Sequence, residues 1–231
     1  MPAPPSPLSP VTEPAAAFPF TLRSDAAQLA GELALPAAPA QALALVVQPT
    51  SQQDGGPYAI AQALLGAGLA VCRIDLLTPL DTRYPDLVRD VPLLENRLAT
   101  CLSYLQGKDC RLLGLPPDLP LVIVASGGGA PAALRLTATR QGPCRALVCR
   151  NGFIDLAGRH ALGFLPVPLL YLAEERPPQA PQDTRETAAA VNALSLVQAP
   201  HELVRCPGRK ESARAATDWV RRWLPPAGAS A

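Results

Sequence analysis

Short runs that are almost wholly apolar recur along this 231-residue chain at wide intervals: ALALVVQP at 42–49, AVCRIDLL at 70–77, LPLVIVAS at 119–126, CRALVCRNG at 144–152 and VPLLYLAEE at 167–175. A strand that is apolar without alternation has to be covered on both faces. The segments between these runs have helical spacing. They include 57–70, 91–107 with Leu93, Leu94, Leu98, Cys101, Leu102 and Leu105 on one side, 130–140 with Pro131 in its first turn, and about 183–197. HELVRC at 201–206 adds a further strand. The stretch 211–224 closes the series as a helix with Ala213, Ala216, Val220 and Trp223 on its inner stripe. Such alternation specifies an α/β fold, a mainly parallel sheet of about eight strands with helices on both faces. Two earlier runs, FPFTLR at 18–23 and LAGELALP at 29–36, are set to pair antiparallel and form an N-terminal edge.

The ends read differently. Residues 1–18 are rich in Pro, Ser and Ala and residues 225–231 read PPAGASA, so both are expected to be a disordered arm and tail around one domain spanning 19–224. The formal net charge is +1, with acidic and basic residues interspersed. The one short basic group, Arg209, Lys210 and Arg214, is interrupted by Glu211 and reads as a solvated helix start. No nucleic-acid partner is expected from such a pattern. No apolar stretch is long enough to span a membrane, and the N-terminus lacks a secretory signal. The six cysteines form no CxxC pair and several sit inside apolar runs. A reduced, cytoplasmic protein without disulfides, metal or cofactor is the expectation.

In open parallel sheets, function sits in the loops beyond the carboxyl ends of the strands. After LPLVIVA the chain reads Ser126-Gly127-Gly128-Gly129 and opens a helix. A strand, a sharp turn bearing serine and a helix form the context of a nucleophile elbow. Gly128 occupies the small position after the serine, but Val124 stands where the usual G-x-S-x-G has its first glycine. Two other readings stay open. One is a plain tight strand-to-helix connection. The other is a phosphate-cradling loop, although no Lys-Ser/Thr follows.

Taken in order, Ala67-Gly68-Leu69-Ala70, Ile74-Asp75-Leu76-Leu77-Thr78, Arg89-Asp90-Val91-Pro92-Leu93-Leu94 with Arg97, and Ala125-Ser126-Gly127-Gly128-Gly129-Ala130 resemble one family, joined by Arg150-Asn151-Gly152, Asp155-Leu156-Ala157-Gly158 and Trp219 with Arg221-Arg222. From about residue 20 to 224 the chain resembles the small α/β-hydrolases of the dienelactone hydrolase-like group, in the branch often associated with phosphoribosyltransferases. The resemblance implies an α/β-hydrolase fold without a cap domain, and a serine hydrolase of small esters or lactones. It puts the nucleophile on Ser126 and the acid on Glu175, with Glu174 beside it. It puts the histidine in the loop Cys206-Pro207-Gly208-Arg209-Lys210-Glu211, where Arg209 or Lys210 stands instead. Arginine is not a general base at neutral pH. Of the two histidines, His201 begins the last strand and His160 follows the sixth. Relatives carry His-Gly where this chain has Gln48-Pro49, and proline offers no N–H. The oxyanion donors are then the amides of Thr50 and Gly127.

These departures converge on one site. The expectation is weak or lost hydrolysis, with three roles open. The chain is a hydrolase with a non-standard base such as His160, a silent relative binding a small molecule or a partner through the cleft near Ser126, or an interaction protein acting through its Pro-rich arm. Oligomeric state is not legible in the sequence.

Overall fold

The computed structural model describes Pro14 and residues 16–50, 55–107, 115–116, 119–140, 144–175 and 181–224. The tail and most of the expected arm lie outside the described residues. Eight strands form one sheet in the order β1-β2-β4-β3-β5-β6-β7-β8. They are β1 (Ala16–Ser24), β2 (Ala27–Leu35), β3 (Leu43–Gln48), β4 (Ala70–Asp75), β5 (Leu121–Ser126), β6 (Cys144–Arg150), β7 (Leu169–Glu174) and β8 (His201–Cys206). β1 pairs antiparallel with β2, and β2 antiparallel with β4; every later pairing is parallel. The edge strand begins at Ala16, inside the stretch read as arm, because Ala16–Phe18 find backbone partners in Leu33–Leu35.

Among the described residues six helices cover the sheet: α1 (Gly56–Gly66), α2 (Val91–Leu105), α3 (Gly129–Thr139), α4 (Arg159–Gly163), α5 (Pro181–Leu194) and α6 (Arg209–Trp223). α1 and α6 lie on one face, packing Ile60, Leu64, Ala216, Trp219 and Val220 over Val46, Val122, Val124, Val148 and Leu172. α2 to α5 lie on the other, packing Leu94, Leu98, Leu134, Leu162 and Leu194 over Leu45, Ile123, Cys149 and Tyr171. The continuous apolar strands follow from this two-sided burial, since alternate residues serve alternate cores. On α6 the buried tryptophan is Trp219, with Trp223 half-buried and edge-on to it, so the inner stripe lies closer to Trp219 than the sequence pattern placed it. α4 and the 3-10 turns at Asp81–Arg83, Pro85–Arg89 and Ile154–Ala157 are too short to leave a periodic signal. No helix among the described residues is long and apolar enough to cross a membrane.

The connection from β4 to α2 runs over the carboxyl end of the sheet, and one buried cation fastens it. Arg97 projects from the inner side of α2 at 5% exposure. Its guanidinium donates at 2.7 Å to the Leu76 carbonyl and at 2.7 Å to the Asp81 carboxylate. The same Asp81 oxygen accepts the Thr78 N–H and hydroxyl, each at 2.8 Å. Burial by itself would raise the Asp81 pKa, but the bonds from Arg97 and Thr78 outweigh it and hold the carboxyl below its ordinary value. Asp90 then caps α2 by accepting from the Leu93 N–H at 3.0 Å. A carboxylate with a lowered folded-state pKa stabilises fully above the ordinary aspartate range and ceases to as pH falls through the lowered value. Asp81→Asn should therefore cost about 1.5–3 kcal/mol at pH 7. The gap from wild type should narrow below about pH 4 in urea unfolding; equal stability at pH 7 would show that this pair does not fasten the loop.

Candidate functional site

The carboxyl ends of β5, β6, β7 and β3 meet around the Ser126–Gly129 turn. Val122 and Val124 face α1 and α6, while Ile123 and Ala125 face α2 to α5. Ser126 continues this alternation as the last residue of β5, in register with Arg150. Its residue is 5% exposed, and its hydroxyl is shut from solvent with no hydrogen-bond partner. The turn follows one residue later. Gly127 has φ +56° and is half-buried, and Gly128 is helical at the N-cap of α3. Glycine enters the positive-φ region without steric cost, so the bend falls at 127. Ser126 completes the strand before it. The expected projecting serine hydroxyl is therefore replaced by a buried one.

Backbone crowds the turn. A Cβ on Gly128 would lie 1.8 Å from the Val88 carbonyl oxygen, and one on Gly152 would lie 2.2 Å from the Gly127 carbonyl oxygen. Gly152 is itself at φ +87°. The Glu186 carboxylate accepts its N–H at 3.2 Å, and the Tyr171 hydroxyl donates to its carbonyl at 3.1 Å.

The Gly127 N–H donates to the Arg150 carbonyl at 3.2 Å, which corrects its assignment as an oxyanion donor. Thr50 is buried just past β3. Gln48 donates its amide to the Asp75 carboxylate at 3.0 Å, and the Pro49 carbonyl accepts the Leu77 N–H at 2.8 Å. The Gln48-Pro49 pair thus ties the end of β3 to the end of β4.

On the acid side, the two glutamates separate. Glu175 is exposed and donates its backbone N–H to the Cys206 carbonyl at 2.9 Å. Glu174, the last residue of β7, is buried and meets Arg150 in a two-pronged pair: Nε to Oε2 at 2.8 Å and Nη2 to Oε1 at 2.6 Å. Their side chains are 4% and 2% exposed. Asn151, at φ +53°, accepts the Glu174 N–H through its side chain at 2.9 Å. The Arg150 guanidinium lies so close to α1 that a Cβ on Gly56 would meet it at 2.1 Å. Arg150-Asn151-Gly152, carried in the sequence only by resemblance, is thus a structural device joining β6, β7 and α1. One signal could have found it: Arg150 and Glu174 each end a strand after a run of apolar residues.

The histidines stay apart from this region. His201 is exposed at the amino end of β8, paired in register with Leu169, and Ser126 lies at the opposite sheet edge. His160 is exposed on α4, its ring 4.7 Å from that of Phe164. Neither hydrogen-bonds Ser126, whose hydroxyl has no partner among the described residues. Arg209 and Lys210 are exposed at the start of α6. Four thiols among the described residues are held protonated by burial. Burial pushes Cys101 and Cys144 up to about 12 and raises Cys149 further. Cys206 is raised by burial first, with the nearby glutamates Glu174 and Glu211 adding to it. Among the described residues no cluster of His, Cys, Asp or Glu could hold a metal ion. An open groove of about 410 Å³ runs along the β2–β4 side of the sheet. It is lined by Glu32, Gln48, Tyr58, Arg73 and Asp75 and includes neither Ser126 nor Gly127.

No protein-family model matches the chain. Two Mycobacterium tuberculosis proteins, from strains CDC 1551 and H37Rv and both named as phosphoribosyl transferases, are 34% identical over 168 residues, 69% of this chain. The chain spans only 36% of the length of these relatives. Among solved structures, a dienelactone hydrolase from Anabaena variabilis superposes with a TM-score of 0.74 at 24% identity, over 91% of this chain and 99% of its own. A Xanthomonas campestris protein described as a serine hydrolase without a lid gives 0.65 at 19% identity, over 94% and 99%. The eight-stranded sheet, its antiparallel edge, the strand-to-helix turn after β5 and these superpositions together show that the chain has the α/β-hydrolase fold.

Proposed function

We propose that this chain is a catalytically silent protein on the α/β-hydrolase fold, whose role is binding rather than ester hydrolysis. One observation carries the reading: the Ser126 hydroxyl is sealed inside the protein. A nucleophile must reach the substrate carbonyl and be deprotonated by a base within hydrogen-bond reach. Ser126 meets neither requirement. The surroundings support the same reading. The glutamate at the end of β7 is bound by Arg150, and the Gly127 amide is bound by the strand. We place the protein in the cytoplasm, in keeping with its buried free thiols. The longer relatives named as phosphoribosyl transferases favour a partner of that class, joined to this domain or separate from it.

Two measurements check this reading. A fluorophosphonate probe should leave wild-type protein unlabelled, and short activated esters should be hydrolysed no faster by wild type than by Ser126→Ala. A covalent adduct on Ser126 would overturn the silent reading. The second concerns Arg150 and Glu174, taken as structural partners instead of triad members. Glu174→Ala, which strands a buried guanidinium, should cost about 3–5 kcal/mol in urea unfolding. The double variant Arg150→Met/Glu174→Leu should recover much of that loss; a Glu174→Ala protein as stable as wild type would remove the pair from this role.

A further inference from the structure

We infer that the apex of the elbow is Gly127, not Ser126, and that the place a nucleophile side chain would occupy has been vacated while the backbone that would present it is kept. The inference rests on the silent reading above and adds the position at which the side chain was lost. Three observations at the β5–α3 turn carry it. Gly127, not Ser126, holds the positive φ of the sharp strand-to-helix bend, at +56°. Gly127 is half-buried where Ser126 is 5% exposed. Among the described residues, a Cβ built on Gly127 would meet only the Pro49 ring within 4 Å, at 3.8 and 3.9 Å, which is ordinary contact.

The neighbours differ sharply. A Cβ on Gly128 or Gly152 would run into a carbonyl oxygen at 1.8 or 2.2 Å. Gly129 also has room for a Cβ, at 3.8 Å from its neighbours, but it is buried, so the half-buried position with room for a side chain is residue 127. A side chain the size of Ser or Cys fits there, directly before the N-terminus of α3, where a thiol is readily ionised.

Cysteine scanning tests this. Gly127→Cys and Ser126→Cys are treated with a maleimide under native conditions, and the adducts are mapped by peptide mass spectrometry so that native thiols are counted separately. Gly127→Cys should react on the order of a hundredfold faster, because a thiol at 126 must wait for local opening. Equal rates, or faster labelling at 126, would overturn the inference. Thermal melting of Gly127→Ala, Gly128→Ala and Gly152→Ala guards against misfolding of the cysteine variants. Gly127→Ala should melt nearest to wild type, and a larger loss there than at Gly128 would equally overturn it. The two readings fail apart: a fluorophosphonate adduct on wild-type Ser126 would sink both, whereas slow maleimide labelling at 127 without any such adduct would sink only this one.

Discussion

Between β5 and α3 the main chain reverses within two residues, and every feature at the carboxyl edge of the sheet is arranged around that reversal. The Gly127 N–H stays with the Arg150 carbonyl, so the β5–β6 ladder extends into the turn itself. The Gly127 carbonyl accepts from the Ala130 N–H at 3.1 Å and so joins the first turn of α3. Backbone from the β4–α2 connection presses on Gly128, and backbone from the β6 end presses on Gly127. Close approach of this kind is possible only where Cβ atoms are missing. The run of glycines is therefore a packing requirement at 128 and a conformational one at 127. That distinction decides which position could ever have carried a functional side chain.

The second organising interaction is electrostatic. A charge at the end of a buried strand normally reaches water, but Arg150 and Glu174 do not. Desolvating both is offset only because the guanidinium fork meets the carboxylate at two points, in a geometry suited to arginine. Such a pair is weak grounds for overall stability, yet it is specific in what it joins. It locks the ends of β6 and β7 together beneath α1. In an active hydrolase the residue following this strand would have to orient an imidazole. Here the buried glutamate is already satisfied, and the exposed Glu175 has no histidine to serve.

Much of the architecture could be read from the chain because it rests on side-chain period. Two-sided burial leaves continuous apolar strands, and Val124 and Ala125 show the alternation between cores within a single one. The antiparallel edge was legible for the same reason, except at Ala16, where backbone pairing recruits residues whose composition reads as a tail. The site was less legible because it depends on backbone angles rather than residue types. Ser126 and Gly127 are adjacent in a string, and nothing in that string says which one carries the bend. The Arg97–Asp81–Thr78 network was also hidden: an arginine within a leucine stripe breaks the pattern, and only the folded connection shows that its charge is answered.

Losing catalysis on this fold does not require losing every part of it. Rate depends on a nucleophile at the apex, a base beside it and donors for the developing negative charge, and these parts act as a unit whose contributions are far from additive. Once one is gone, the others no longer hold their positions by contributing to catalysis, and stability alone decides what replaces them. On the silent reading proposed above, the residues at this edge fit that logic. Gln48 binds Asp75, Pro49 stiffens the β3 end against the turn, and Arg150 engages Glu174, each satisfying a local polar or packing demand. A serine placed at position 127 would have its own amide held by the Arg150 carbonyl, while both histidines of the chain are exposed, one at the amino end of β8 and one on α4. On the same silent reading, several independent steps separate the site from activity, while the same backbone contacts hold the sheet edge together.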